Sequence, residues 1–252
     1  ETYFGLYVPV TSMVWQLMFL IGGGAAWPYR VLNLTLHLAN CYLAFRLLMS
    51  LAIRWNLPCG WALPAGVAMF ALHPMQIHAV AWISGGRDLL AAFFGLLSIF
   101  IFFRNTTWKG ILLSTALFAA AVLSKPNVTV FPVLLPFLCY LCAKDKMPRA
   151  WAASLLWALI IPASIFMTLY AQRDFLLSLK WWERLLIMGD TYSFYIQKLI
   201  FPYPLSANYD RIPEVMLKTW EPAWRSIVLV VGLAIAYAWA KKTDKRFVIA
   251  LS

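Results

Sequence analysis

The sequence predicts an all-α, polytopic membrane bundle of about seven or more transmembrane helices, with interfacial helices in its outer loops. Three observations predict it. Hydrophobic residues fill 63% of the 252 positions and charged residues 12%, about half the charged share of an ordinary soluble domain. Mean hydropathy is +0.74, and the apolar residues are gathered into long runs. The cations fall mainly at the ends of those runs, where Lys and Arg set topology and meet lipid headgroups. This balance excludes a soluble enzyme, a disordered tail and a disulfide scaffold.

A spanning helix needs about 20 mostly apolar residues. In chain order the first apolar run, Val10 to Ile21, ends in Gly22-Gly23-Gly24 and is too short to span, so it reads as an interfacial helix. Spans are expected over Tyr29 to Ile53, Cys59 to about Gln76, Asp88 to Phe103, Gly110 to Ser124, Asn127 to Ala143, Ala150 to Ala171 and Arg225 to Ala240. Several have only about 15 to 18 apolar residues, which a tilt or partial crossing accommodates. Between the last two, FLLSLKWWERLLIM reads as an amphipathic stretch with Trp181 and Trp182 at headgroup level, and Asp190 to Phe201 as a re-entrant or partly inserted helix ended by Pro202 and Pro204. The outer interfacial segments are thus about 5–27 and 172–224. The chain reads as a single transmembrane domain over 1–252, and as a fragment of a longer protein, because it begins on Glu1 in mid-pattern and stops at Ser252 in a new apolar run.

Short-loop cations orient the bundle. Arg54, Arg104, Lys109, Lys144, Lys146, Arg149, Lys241, Lys242, Lys245 and Arg246 form one set, against Arg30, Arg87 and Lys125 in the other. Ten against three places the first set in the cytoplasm. Most acids (Glu1, Asp88, Asp174, Glu183, Asp190, Asp210, Glu214 and Glu221) then lie toward the outer side, which becomes the working face. The net charge of +11 would suggest nucleic acid in a soluble domain. Here no basic stripe stands on a polar surface, so the expected partners are membrane lipid and lipid phosphate.

The densest polar constellation is FALHPMQIHAVAWISGGRDLLAAFF. It delivers His73 and His78 to the outer surface, then Gly85, Gly86, Arg87 and Asp88 at the start of the next helix. Asp88 is expected to cap that helix beside Arg87; two glycines before a cation and a helix N-terminus suggest an anion site. Asn33, His37 and Asn40 share one helix face, which must pack inward in a membrane. Lys125 stands in the outer turn Ser124-Lys125-Pro126-Asn127. Cys139 and Cys142 read as small apolar helix residues rather than a redox pair. His37, His73 and His78 are the only histidines, and no H-E-x-x-H, Walker loop or G-x-S-x-G occurs, so neither a metal nor a cofactor is expected.

These residues carry a family resemblance. FALHPMQIHAVAWISGGRDLL resembles the signature of the tetratricopeptide-containing transmembrane glycosyltransferases and their bacterial relatives. Collinear stretches agree: Tyr7-Val-Pro9-Val-Thr11, Tyr29-Arg-Val-Leu-Asn33-Leu-Thr-Leu-His37, Leu123-Ser-Lys125-Pro126 with Thr129, and Tyr195-Ile-Gln-Lys198 with Pro202, Leu205 and Tyr209.

The resemblance implies a GT-C fold that passes a sugar from a polyprenyl-phosphate lipid to an acceptor hydroxyl of a protein or glycan. Its location would be a bacterial inner membrane, with the active face toward the periplasm. On the matched positions, Asp88, Arg87 and His78 are the implied catalytic residues. Arg87, His73 and Lys125 are the phosphate contacts, with Asp88 orienting Arg87. Tyr7, Asn33, His37 and Lys198 shape the cavity wall. Two departures stand out: the family pattern carries an acid where this chain has His78, and its first helix and acidic motif lie upstream of Tyr7. These departures keep a second expectation open, a catalytically incomplete GT-C-like subunit that scaffolds or binds lipid in a larger membrane complex.

Overall fold

The computed structural model describes residues 7–56, 60–172, 180–203 and 216–243, and among these no strand occurs. The sequence-read positions Glu1, Cys59, Asp174, Leu205, Tyr209, Asp210, Glu214, Asp244, Lys245 and Arg246 lie outside them. The chain divides into two compact units, Glu1–Leu176 and Leu177–Ser252.

The first unit begins with α1 (Pro9–Gly22), opened by a proline whose missing N–H is no loss at the first turn and closed by Gly23 at φ 58°. α2 (Trp27–Arg54) is 28 residues long. The span expected over Cys59 to about Gln76 is shorter: α3 (Ala62–Leu72) has 11 residues and stops at an extended His73, and a separate short helix, α4 (Gln76–Ala81), follows. Pro74 accounts for the break, since it drives the preceding residue out of helical geometry. A 3₁₀ turn, Ile83–Gly85, leads into α5 (Gly86–Arg104). α6 (Trp108–Ser124) starts on Thr107, whose hydroxyl accepts the Gly110 N–H. The run expected over Asn127 to Ala143 opens as a 3₁₀ segment, Pro126–Val130, before α7 (Phe131–Cys142). A short turn, Lys144–Lys146, precedes α8 (Met147–Gln172).

Three segments are long and apolar enough to cross a membrane: Trp27–Arg54, Ile83–Arg104 and Lys144–Tyr170. Pro9–Gly22, Ala62–Leu72, Trp108–Ser124 and Pro126–Leu141 are apolar but shorter. The chain is an integral membrane protein. Its large side chains divide accordingly. Phe102, Phe118 and Trp157 are fully buried, while Leu112, Val133, Leu155 and Leu159 are exposed, as lipid-facing residues are.

The core lies where α5, α6, α7 and α8 meet. Phe118 stacks on Trp157 with ring centroids 4.7 Å apart and planes 8° off parallel. Ala121, Ala150 and Ala153 are fully buried around them, and such small residues let membrane helices approach closely. Ser98 and Ser114 are also buried, each hydroxyl donating to a carbonyl of its own helix (Gly95 at 2.7 Å, Ile111 at 2.8 Å). Both hydroxyls are thereby satisfied within their own helices, whereas Trp157 Nε1 and Ser154 Oγ are buried with no hydrogen-bond partner.

One end of this unit gathers cations. Lys146 Nζ donates to the Phe103 carbonyl at 2.6 Å, Arg149 to Thr106 Oγ1 at 3.2 Å, and the Trp55 indole to the Leu141 carbonyl at 3.2 Å. Asp88 stands fifteen residues before Phe103 on α5, roughly 22 Å away at 1.5 Å per residue. Among the loop cations, Arg104 and Lys146 therefore lie at the opposite end of α5 from Arg87.

In the second unit, α9 (Trp181–Ile200) is one continuous helix. The part of the amphipathic stretch from Trp181 onward and the Asp190 to Phe201 segment, expected as separate pieces, are joined, and the helix stops before Pro202; residues 175–179 of that stretch lie outside the described residues. α10 (Glu221–Thr243) packs against it. A Cβ on Gly189 would lie 2.8 Å from Ser226 Cβ, and the Ser226 hydroxyl reaches the Leu186 carbonyl at 3.3 Å. Asp190 is fully buried, with Arg225 Nη1 3.8 Å from its carboxylate.

Candidate functional site

The site is built on α2. Asn33 is buried and its Nδ2 donates to two carbonyls, Trp82 at 3.0 Å and Val80 at 3.3 Å. These lie at and just past the end of α4, where helix carbonyls lack internal partners. One turn on, His37 Nε2 lies 3.0 Å from the Ala71 carbonyl near the end of α3; a carbonyl only accepts, so this nitrogen carries the proton. Asn40 Nδ2 donates to the Leu89 carbonyl of α5 at 3.0 Å. The inward polar face of α2 thus fastens three successive elements, and the polar ends of Asn33 and His37 are engaged with backbone.

The two glycines serve close packing. A Cβ on Gly85 would meet the Ala79 carbonyl at 2.5 Å, and one on Gly86 would meet Asn33 Oδ1 at 2.5 Å. Only a residue without Cβ lets the turn lie between α4 and α2.

Held this way, the turn presents Arg87 and Asp88 in the first turn of α5. Asp88 does not cap the helix: the α5 N-terminus has no side-chain cap hydrogen bond. Its carboxylate is ion-paired with the Lys125 ammonium, 37 residues later. The expected partner, Arg87, is displaced by Lys125, which the end of α6 brings to the same mouth. Arg87 Nε is buried with no hydrogen-bond partner. This stretch thus holds two cations, Arg87 and Lys125, and one carboxylate, of which Lys125 and Asp88 are paired.

The remaining expected residues are more scattered. His73 Nδ1 accepts the Met75 N–H at 3.2 Å, folding the imidazole onto the turn that ends α3. His78 is exposed on α4, its ring 5.2 Å from Trp82. Tyr7 is exposed ahead of α1. Lys198 belongs to the second unit, where it is buried on α9 with its ammonium 5.6 Å from the Phe194 ring. The sequence reading missed Asn40 as an anchor of α5 and Asp190 as a buried acid. The first was legible only as part of a polar face, and nothing in the spacing marked the second.

Comparison with known proteins finds relatives for part of the chain. The chain is similar to protein O-mannosyl-transferases. It is 34% identical to the Drosophila melanogaster Protein O-mannosyl-transferase Tmtc2 over 106 residues, 42% of this chain and 11% of that protein. Over 141 residues, 55% of this chain and 15% of the relative, it is 33% identical to Tmtc1 of the same species. The Mus musculus TMTC2 protein is 35% identical over 105 residues, covering 41% of this chain and 12% of that protein. The matched stretches therefore span between about a ninth and a seventh of these relatives. No family model matches the chain, and no solved structure does.

Proposed function

We propose that this chain is membrane core of a GT-C-type glycosyltransferase that moves a sugar from a polyprenyl-phosphate donor to an acceptor hydroxyl. Its working face is the non-cytoplasmic one, periplasmic in a bacterial inner membrane, and its bundle has seven or more spans. The observation that carries the reading is the Asp88–Lys125 ion pair set beside Arg87, whose buried Nε has a hydrogen bond to give. The similarity to O-mannosyl-transferases supports mannose as the sugar and a protein as the acceptor.

In this reading the bond from the sugar anomeric carbon to the phosphate oxygen breaks, and the phosphate keeps the electron pair. The acceptor oxygen bonds to that carbon, and its proton passes to a base. Arg87 and Lys125 stabilise the charge gathering on the departing phosphate, with His73 at the same mouth. Asp88 holds Lys125 in place. His78, exposed beside Trp82, is the base this stretch offers. Asn33 and His37 hold the inner wall by fixing α4 and α3, with Tyr7 ahead of α1; Lys198, in the second unit, is a wall residue on the family resemblance alone.

The test uses the full-length protein in lipid nanodiscs with polyprenyl-phosphate carrying labelled mannose, and an acceptor peptide. Transfer by the wild type, lost in both Arg87→Ala and Asp88→Ala while each stays folded, is the expected result. Wild-type turnover by both variants overturns the site. The second reading, a catalytically incomplete subunit that scaffolds or binds lipid in a larger complex, is favoured by His78 standing where the family pattern writes an acid. Polyprenyl phosphate co-purifying with a wild type that transfers nothing would decide for it.

A further inference from the structure

Much of α1 is bare: Met13, Leu17 and Leu20 are exposed along it. Thr11, on the same helix, is fully buried. Its hydroxyl donates to the Ser124 carbonyl at 3.0 Å, across 113 residues of sequence. That carbonyl belongs to the peptide unit joining Ser124 to Lys125. The N–H of the same unit donates to the Ala121 carbonyl at 3.0 Å. The Ser124 hydroxyl turns back to Ala120 at 2.8 Å and leaves the site to Thr11. Both polar groups of one peptide are therefore held, one by α6 and the other by α1. Beyond it Lys125 is extended (φ −161°, ψ 130°), as a residue before proline is required to be.

We propose that Thr11 is a positioning residue for Lys125. By locking the peptide from which the Lys125 side chain departs, it aims the ammonium at Asp88 and at the mouth where a phosphate would bind. The consequence for turnover rests on the transferase reading; the positioning itself does not. Valine matches threonine in shape but cannot donate, whereas serine keeps the hydroxyl.

The experiment takes the full chain in nanodiscs and measures acetylation of Lys125 by an amine-reactive ester, site by site, with exposed Lys109 as internal reference. Thr11→Val should raise labelling of Lys125 alone, by roughly three- to tenfold, which is what one buried hydrogen bond represents. Thr11→Ser should restore the wild-type rate. In the transfer assay Thr11→Val should raise KM for the lipid donor more than it lowers kcat. Unchanged labelling with unchanged KM overturns the proposal, and so does a parallel rise at Lys109, which would mean general loosening. Selective labelling in a protein that transfers nothing upholds the positioning role and overturns the transferase reading instead.

Discussion

Asn33 Oδ1 lies against Gly86 so closely that a Cβ on that glycine would sit 2.5 Å from it. The amide that fastens the end of α4 thus leaves no room for any other residue at the start of α5. Gly86→Ala should overpack this contact and destabilise by about 1–3 kcal/mol, displacing Arg87 and Asp88 with the turn. Gly66, on α3, has nothing within 4 Å of the corresponding point, so Gly66→Ala should be neutral or stabilise by up to about 1 kcal/mol. Thermal unfolding of both variants in one detergent checks the contrast.

The same amide separates shape from donor chemistry. Asn33→Asp keeps the size of the side chain but, when ionised, presents only acceptors to the Val80 and Trp82 carbonyls. Asn33→Leu removes the donor without adding charge. The aspartate should be the worse of the two, losing on the order of 3 kcal/mol against about 1–2 kcal/mol for leucine. Equal stability in denaturant titrations would mean that these carbonyls do not depend on Asn33.

The Asp88–Lys125 pair makes the opposite demand, since it is partly open to solvent. Screened pairs of this kind contribute below about 1 kcal/mol to folding. Asp88→Asn and Lys125→Met should therefore unfold within a few degrees of the wild type, yet each should reduce sugar transfer at least about tenfold. The charge-swapped double variant, Asp88→Lys with Lys125→Asp, should regain the stability without the transfer. Parallel melting and transfer assays read both quantities, and a swap that restores transfer would show that only the attraction matters.

Much of this arrangement was legible in the sequence because it follows from short-range rules. Apolar runs and their terminal cations marked α2, α5 and α8. Asn33, His37 and Asn40 had to face inward because a bilayer offers amides no partner. Pro126 and the GGRD turn marked both sides of the mouth. What the sequence left open depends on contacts between distant segments. Nothing local says that Asp88 turns to Lys125 rather than to its neighbour Arg87, or that Gly86 is required by Asn33 rather than by an anion. Pro74 was in view, but its cost to the helix before it was outweighed by an apolar run that continues past it. The joined α9 escaped because its amphipathic first half and polar second half differ in pattern while sharing one helix.

The buried and lipid-facing positions of α8 give the last contrast. Leu155 and Leu159 are exposed on its outer side, while Trp157 between them is fully buried against Phe118. In a bilayer an exposed leucine has apolar surroundings in either state, so burial from water adds little and packing decides. Leu155→Ala and Leu159→Ala should each cost below about 0.5 kcal/mol. Trp157→Ala should open a cavity and cost about 3–5 kcal/mol. Trp157→Phe keeps an aromatic face on Phe118 and should lose less than half of that. Unfolding in mixed micelles orders the four variants; a leucine as costly as Trp157 would place that face of α8 against protein rather than lipid.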